Sequence, residues 1–446
     1  MSRQDTLLKY FEQYREETET RIRAGIELYR KGQAAFSFVN PAGEPVTGVS
    51  FRARLRQHDF RFGCNIFLLD EFETEEKNAL YREMFGETFN YAIVPFYWNA
   101  LEPERGKPRY GKDSPKIYRR PAPDLVVEYC REKNIRMKGH CLVYDSSAPS
   151  WLPADVPGIK RETERHIAEV AERYAEVIPD WDIINETLLW NPYDPARTTR
   201  FFREPDYVQW SFDCAKRYLP LGRRFINEAS GIWNFQFNRT PYYMQIQNLL
   251  AQCTPIGGIG LQAHQFVPRA EEGGHAARVY NPRVVYDLLD TFAGFGLPLQ
   301  MSELTFASYN GDATDYELQG EVLRNMYRIY FSHPAMDGIV YWNLVDGYTW
   351  AGNGAGRGDM SAGENVFGGG LLYPDLSPKP AFRVLQELVK REWHTDCRGE
   401  TGAGNRAAFR GFKGTYDITA EVGGKRYQEI YHLDGIDSHP ATIVLA

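Results

Sequence analysis

The distribution of apolar positions divides the chain into four stretches. Leu7, Leu8, Phe11 and Tyr14, then Ile22, Ile26 and Tyr29, recur at helical spacing and predict one amphipathic helix over 5–31, within an N-terminal segment of residues 1–33. Residues 34–60 alternate apolar and polar side chains on either side of Pro41-Ala42-Gly43, the pattern of a β-hairpin. From 61 to 392 a longer rhythm sets in, with short apolar runs separated by helical patterns such as ETERHIAEVAERYAEVI (162–178). The eight runs are FRFGCNI (60–66), YAIVPF (91–96), IRMKGHCLV (135–143), DWDIIN (180–185), RRFIN (223–227), GIGLQAH (258–264), PLQMSEL (298–304) and DGIVYWN (337–343). Residues 393–446 return to alternation, with aromatics and a Gly423-Gly424 turn. This tail is expected to join the 34–60 hairpin in one small β domain built from both ends of the chain.

Strand–helix alternation implies parallel strands joined by helical crossovers. Eight such units over 61–392 predict an α/β fold, a (β/α)8 TIM barrel with some enlarged loops and the accessory β domain beside it. A doubly wound open sheet is the competing architecture, and it loses ground because no GxGxxG opens a helix after the first strand.

Composition narrows the function classes. The balance of 52 basic against 59 acidic residues gives a net charge of −7, which argues against a nucleic-acid partner held by an overall basic surface. No run approaches the roughly 18 apolar residues of a membrane span, so no membrane partner is expected. The N-terminus carries charges where a signal peptide would be apolar. Six cysteines (Cys64, Cys130, Cys141, Cys214, Cys253, Cys397) show no CxxC pair. A cytoplasmic, thiol-reduced location is expected, with no metal site and no cofactor. The pattern carries no signal for oligomeric state. GKPRYGKD (106–113) nearly spells a phosphate-binding loop, but Asp113 stands where Ser or Thr is required. The Gly-rich stretch 352–370 follows the eighth run and opens no helix, so it reads as a loop over the active face. Asn238-Arg239-Thr240 matches a glycosylation acceptor and means little without a secretory leader.

The aromatic content, 14 %, changes the picture more. Alone it reads as a large core; it also suits a cleft for sugar rings, whose C–H faces pack on aromatic planes. Barrel enzymes place reacting groups at the C-terminal ends of strands. Here those ends carry Asn65, His140, Asn185 with Glu186, Asn227 with Glu228, Gln262 with His264, Glu303, and Trp342 with Asn343. Such a set is costly unless its members are satisfied or used. Glu186 ends the fourth run and Glu303 the seventh, so the two can face each other across the barrel mouth. Paired carboxylates flanking a bond are what glycoside hydrolysis requires, one protonated and one ionised.

Several segments, in order along the barrel, resemble glycoside hydrolase family 10, whose members are mainly retaining β-1,4-xylanases on a clan A barrel. WDIINET (181–187) resembles the acid/base motif, GHCLVYDSSAPSWL (139–152) the third-strand segment, GIGLQAHQ (258–265) the sixth and MSEL (301–304) the nucleophile strand. YWNLVDGYTW (341–350) with LLYPDLSPKPAF (371–382) resembles the eighth strand and closing helix. The resemblance implies that Glu186 is the general acid/base and Glu303 the nucleophile. It implies that Asn185 binds the sugar 2-hydroxyl and that His264 hydrogen-bonds the nucleophile. It further implies that His140 and Gln262 line the same subsite, and that Trp342 and Trp350 stack on or wall off sugar rings. An oligosaccharide or polysaccharide is the implied partner.

The sequence also departs from the family. The second strand usually brings a Glu-Asn pair and a Lys to the next sugar; here Ile93, Val94 and Tyr97 stand in their places, and Trp98 restores the match. On the third strand Tyr144 and Asp145 replace the usual Trp and His. Tyr97, Trp98, Tyr144 and Asp145 are therefore candidate substrate contacts on a rebuilt glycone side. The expected activity is a retaining, xylanase-like hydrolase acting on oligosaccharides or a non-standard glycone. The alternative is a catalytically inactive carbohydrate-binding barrel.

Overall fold

A computed structural model describes residues 2–188, 199–229, 232–233, 239–351, 357–402, 404–435 and 441–445. The strands in chain order are β1 (Lys31–Val39), β2 (Ser50–His58), β3 (Arg61–Asn65), β4 (Tyr91–Pro95), β5 (Arg136–Val143), β6 (Asp180–Asn185), β7 (Arg223–Glu228) and β8 (Gly258–His264). They continue with β9 (Leu299–Thr305), β10 (Met336–Tyr341), β11 (Asp396–Glu400), β12 (Arg406–Phe412), β13 (Gly414–Val422), β14 (Lys425–Leu433) and β15 (Ala441–Val444). Strands β3 to β10 close a parallel barrel in sequence order, with β10 pairing β3. All eight apolar runs are barrel strands, displaced by no more than a residue or two at their ends.

The barrel strands are buried on both faces, as parallel strands roofed by helices must be. Helices Val156–Tyr174 and Ala313–Ser332 turn apolar stripes onto them, Ile159, Ile167 and Val170 on the first, Leu318, Val322 and Ile329 on the second. The pairing slips at the C-terminal ends of several strands. Register shifts fall between His140 and Val143 on β5, between Asp182 and Ile184 on β6 and between Leu261 and Gln262 on β8. A bulge re-aims the side chains that follow it, and each of these is followed or flanked by a polar residue facing the barrel mouth.

The accessory β domain draws on both chain ends. One sheet runs β12-β1-β15 and the other β11-β2-β13-β14. Phe36 of β1 packs edge-on against Phe51 of β2 with centroids 5.2 Å apart, so the two sheets share a core. Two expectations need correction. Residues 34–60 do not form a hairpin: β1 pairs β12 and β15, while β2 pairs β11 and β13, so the neighbouring strands lie in opposite sheets. Alternation marks one buried face and cannot tell a hairpin partner from a facing sheet. The N-terminal segment is also not one helix. Helices Arg3–Gln13 and Arg15–Gly25 break at Tyr14, and a wide turn over Ile26–Arg30 leads into β1. Both helices are tied to the barrel's outer wall by Arg3 to Glu272 and Asp315, and by Glu19 to Arg328.

Candidate active site

Strands β6, β7, β8 and β9 deliver one hydrogen-bonded cluster to the barrel mouth. Asn227, ending β7, is its hub: Nδ2 donates to Asn185 Oδ1 (2.8 Å) and to Glu303 Oε1 (2.8 Å). Its own Oδ1 accepts from the Ser302 hydroxyl. Gln262 Nε2 lies 3.3 Å from both Asn185 Oδ1 and Glu186 Oε1. Three side-chain amides, those of Gln262, Asn185 and Asn227, thus connect the two candidate carboxylates. The neighbouring strand makes room for the hub: a Cβ on Gly260 would sit 2.3 Å from Asn227 Oδ1, so only glycine fits there. Glu186 takes a left-handed backbone (φ 55°), uncommon for a residue with a side chain and a form of strain that gathers at functional sites. Its amide holds to Asn227 O at 2.9 Å, and Tyr144 OH donates to its Oε2.

Glu303 is buried and its surroundings decide its charge. Burial pushes its carboxyl up to about 8; His140 opposes the shift, Glu186 adds to it, and the Asn227 amide opposes it again. Its second oxygen lies 3.1 Å from His264 Nε2. The far side of that ring fixes the tautomer. Thr305 Oγ1 gives its proton to Trp342 O, so it can only accept from His264 Nδ1, 3.0 Å away. A neutral His264 therefore turns a lone pair toward Glu303, and one proton is shared between carboxyl and imidazole. Burial pushes the His264 pKa down. Both directions place the shared proton on Glu303 in the free protein.

His140 lies between Asp182 (2.9 Å, Nδ1) and the Tyr97 hydroxyl (3.1 Å, Nε2), and Asp182 is in turn paired with buried Lys138 at 2.6 Å. Trp342 closes the floor, edge-on to both His140 (5.6 Å) and His264 (6.0 Å). Asn185, Glu186, Gln262, His264, Glu303, His140, Tyr97, Tyr144 and Trp342 therefore converge on one site.

Three other predicted residues do not join this cluster. Trp98 is buried outside the barrel, stacked on His166 at 4.5 Å and donating to Glu102. It starts the short helix that follows β4, which turns its ring away from the mouth. Asp145 accepts the Thr199 amide at 3.3 Å. Trp350 stands at the rim, 55 % exposed, beside Arg119 and Arg120. Tyr97 carries the Arg120 guanidinium on its ring, 3.7 Å from the centroid.

Sequence reasoning gave no role to Asn227, Asp182, Arg119, Arg120 or Glu364. Asn227 had a signal, because DWDIIN and RRFINE place an asparagine at the same point of adjacent strands and the register pairs Asn185 with Asn227. The arginines come from the irregular segment after β4, where no periodicity points inward. Glu364 reaches the mouth from the stretch after β10, accepting from Asn343 Nδ2 at 2.8 Å. Residues 352–356 of that Gly-rich stretch, and Asn238 of the glycosylation triplet, lie outside the described residues.

An eight-stranded parallel barrel with two linked glutamates on strand ends three steps apart defines a class, the (β/α)8 barrels with paired carboxylates at the mouth. The comparisons narrow it. The family model for glycosyl hydrolase family 10 matches residues 60–387, and the chain belongs to that family. It is 24 % identical over 432 residues to endo-1,4-beta-xylanase 2 of Arabidopsis thaliana, covering 95 % of this chain and 35 % of that protein. It is 24 % identical over 410 residues to anti-sigma-I factor RsgI6 of Acetivibrio thermocellus, covering 90 % and 46 %. The chain thus spans less than half the length of these two relatives. Among solved structures it resembles xylanase 10B from Thermotoga petrophila in complex with xylobiose, with TM-score 0.56, 21 % identity and coverage of 75 % and 95 %.

Proposed function

We propose that the protein is a retaining glycoside hydrolase that cleaves β-glycosidic bonds by double displacement, xylanase-like in machinery and altered in its glycone site. The observation that carries this is the single network joining Glu186 and Glu303 through Gln262, Asn185 and Asn227. In the first step the ionised Glu303 attacks the anomeric carbon while Glu186 gives its proton to the departing oxygen, leaving a glycosyl ester on Glu303. In the second, Glu186 takes a proton from water, the water oxygen attacks the same carbon and Glu303 is released. His264 receives the proton that Glu303 holds at rest, and the resulting imidazolium steadies the carboxylate. Asn185, hydrogen-bonded to both Gln262 and Asn227, takes the sugar 2-hydroxyl in this reading.

The Thermotoga structure was determined with xylobiose, which supports a β-linked oligosaccharide as the ligand class. The glycone side supports a different sugar from that of a standard xylanase, since Ile93 and Val94 are buried and the Tyr97 hydroxyl is engaged by His140. A panel of β-linked aryl glycosides tests the reading, with hydrolysis and a retained anomer first released as the expected result. A carbohydrate-binding barrel without turnover is the second reading, favoured because the Acetivibrio relative bears the name of an anti-sigma factor. Oligosaccharide binding with no new reducing ends would select it.

A further inference from the structure

We propose that the cavity between Arg119, Arg120 and Trp350 is a subsite for the carboxylate of a uronic acid residue on the glycone side of the substrate. The proposal rests on the hydrolase reading above and adds the charge of the sugar. Several buried or half-buried arginines of this chain meet carboxylates, as Arg3 meets Glu272, Arg165 meets Glu102 and Arg223 meets Asp180, while Arg30 and Arg109 are satisfied by backbone carbonyls. Arg119 and Arg120 also lack a carboxylate partner, and they line an open cavity. Arg119 donates to Tyr348 O (2.8 Å) and to Asn343 Oδ1 (2.7 Å), and its buried Nε has no partner. Arg120 donates a side-chain hydrogen bond to Arg119 O at 2.8 Å and lies on the Tyr97 and Phe67 rings. Among the described residues no carboxylate forms an ion pair with either. Glu364 is held one step away, on the other end of the Asn343 amide.

Two adjacent guanidiniums largely withdrawn from water and without a carboxylate partner favour an anion that enters the cavity. Burial pushes Arg120 down to about 10, which leaves it charged at neutral pH. The cavity they line has a volume of about 390 Å³ and is open to solvent, with the exposed Trp350 ring on its wall. A uronate matches both features. Its pyranose C–H face packs on an indole, and its planar carboxylate accepts from a guanidinium fork in a way a neutral hydroxymethyl cannot. The position fits a glycone subsite: Arg120 covers one face of Tyr97, whose hydroxyl bonds His140 at the catalytic cluster. The overall charge of −7 would repel such a substrate, so the attraction must be local.

Binding to the Glu303→Gln protein tests this. The probes are glucuronic-acid-branched xylo-oligosaccharides and β-1,4-glucuronan fragments, each beside its carboxyl-reduced, neutral counterpart. At least one acidic probe is expected to bind about tenfold more tightly than its neutral partner. That preference should shrink with added salt, fall toward one in an additional Arg120→Gln substitution and survive in part in Arg120→Lys. Equal binding of every acidic and neutral pair overturns the proposal before any arginine is changed. If acidic and neutral probes bind equally while the wild-type chain cleaves β-glycosides with retention, the uronate subsite is wrong and the hydrolase reading stands. If the Arg120-dependent preference appears but the wild-type chain cleaves nothing, the subsite stands and the hydrolase reading fails.

Discussion

The two sides of the barrel mouth are built differently. On the side of β6 to β9, short amides and an imidazole connect two glutamates by hydrogen bonds between the strand ends. On the side of β4 and the loop that follows it, aliphatic and aromatic residues fill the strand end, and two arginines from irregular backbone face a cavity. Under the proposed function, the first side moves a proton and holds the reacting carbon, and the second sets the identity of the sugar. Reaction and recognition would then be carried on separate strands, so that one can be rebuilt while the other is kept.

Removing the carboxylates has the largest expected effect. Glu303→Ala should abolish hydrolysis of aryl β-glycosides, and Glu186→Ala should lower it by about 10²–10⁴-fold, recoverable in part by azide with formation of a β-glycosyl azide. An unchanged rate in either variant breaks the assignment of that side. Next comes the hub. Asn227→Ala removes a donor from buried Glu303 and from Asn185, and kcat/KM should fall by about 10–100-fold, the worth of a hydrogen bond to a charged group. A change confined to KM would move Asn227 to the recognition side.

The pH dependence of stability tests the burial of Glu303. Its carboxyl titrates at about 8 in the folded chain against an ordinary 4.5. Between those values the folded state holds a proton that the unfolded state has released, so stability falls as pH rises through that window. Glu303→Gln removes the effect. Its stability advantage over wild type should grow from near zero at the low end to about 2–4 kcal/mol at the high end, read from thermal or urea melts. An advantage constant with pH would contradict the titration. The smallest effects on turnover belong to the outer tryptophans. Trp98→Ala should cost about 3–5 kcal/mol of stability as a buried ring is lost, with kcat on a simple aryl glycoside nearly unchanged. Exposed Trp350→Ala should leave stability alone and raise KM for oligosaccharides a few-fold, about 1 kcal/mol of ring contact.

Legibility in the sequence followed the same division. The barrel strands were readable because each is a short apolar run closed by a polar residue, and Glu186 and Glu303 fall on those closing positions. Asn227 shares that position and was within reach of the same rule. Trp98 was misplaced because a motif match preserves order along the chain and not the direction of a ring after a helical turn. Arg119 and Arg120 were missed because their segment has neither a period of two nor one of 3.6. Residues 34–60 form no hairpin because pairing partners more than about 340 residues apart leave no local trace.

The central claim, that Glu303 attacks the sugar while Glu186 serves it, is tested most directly by trapping the glycosyl enzyme. A 2-deoxy-2-fluoro version of the best aryl β-glycoside would be incubated with the protein, followed by peptide mass analysis. The account predicts one sugar adduct on the peptide that carries Glu303, absent from Glu303→Gln. Turnover of the parent glycoside without any adduct, or an adduct on another residue, would contradict it.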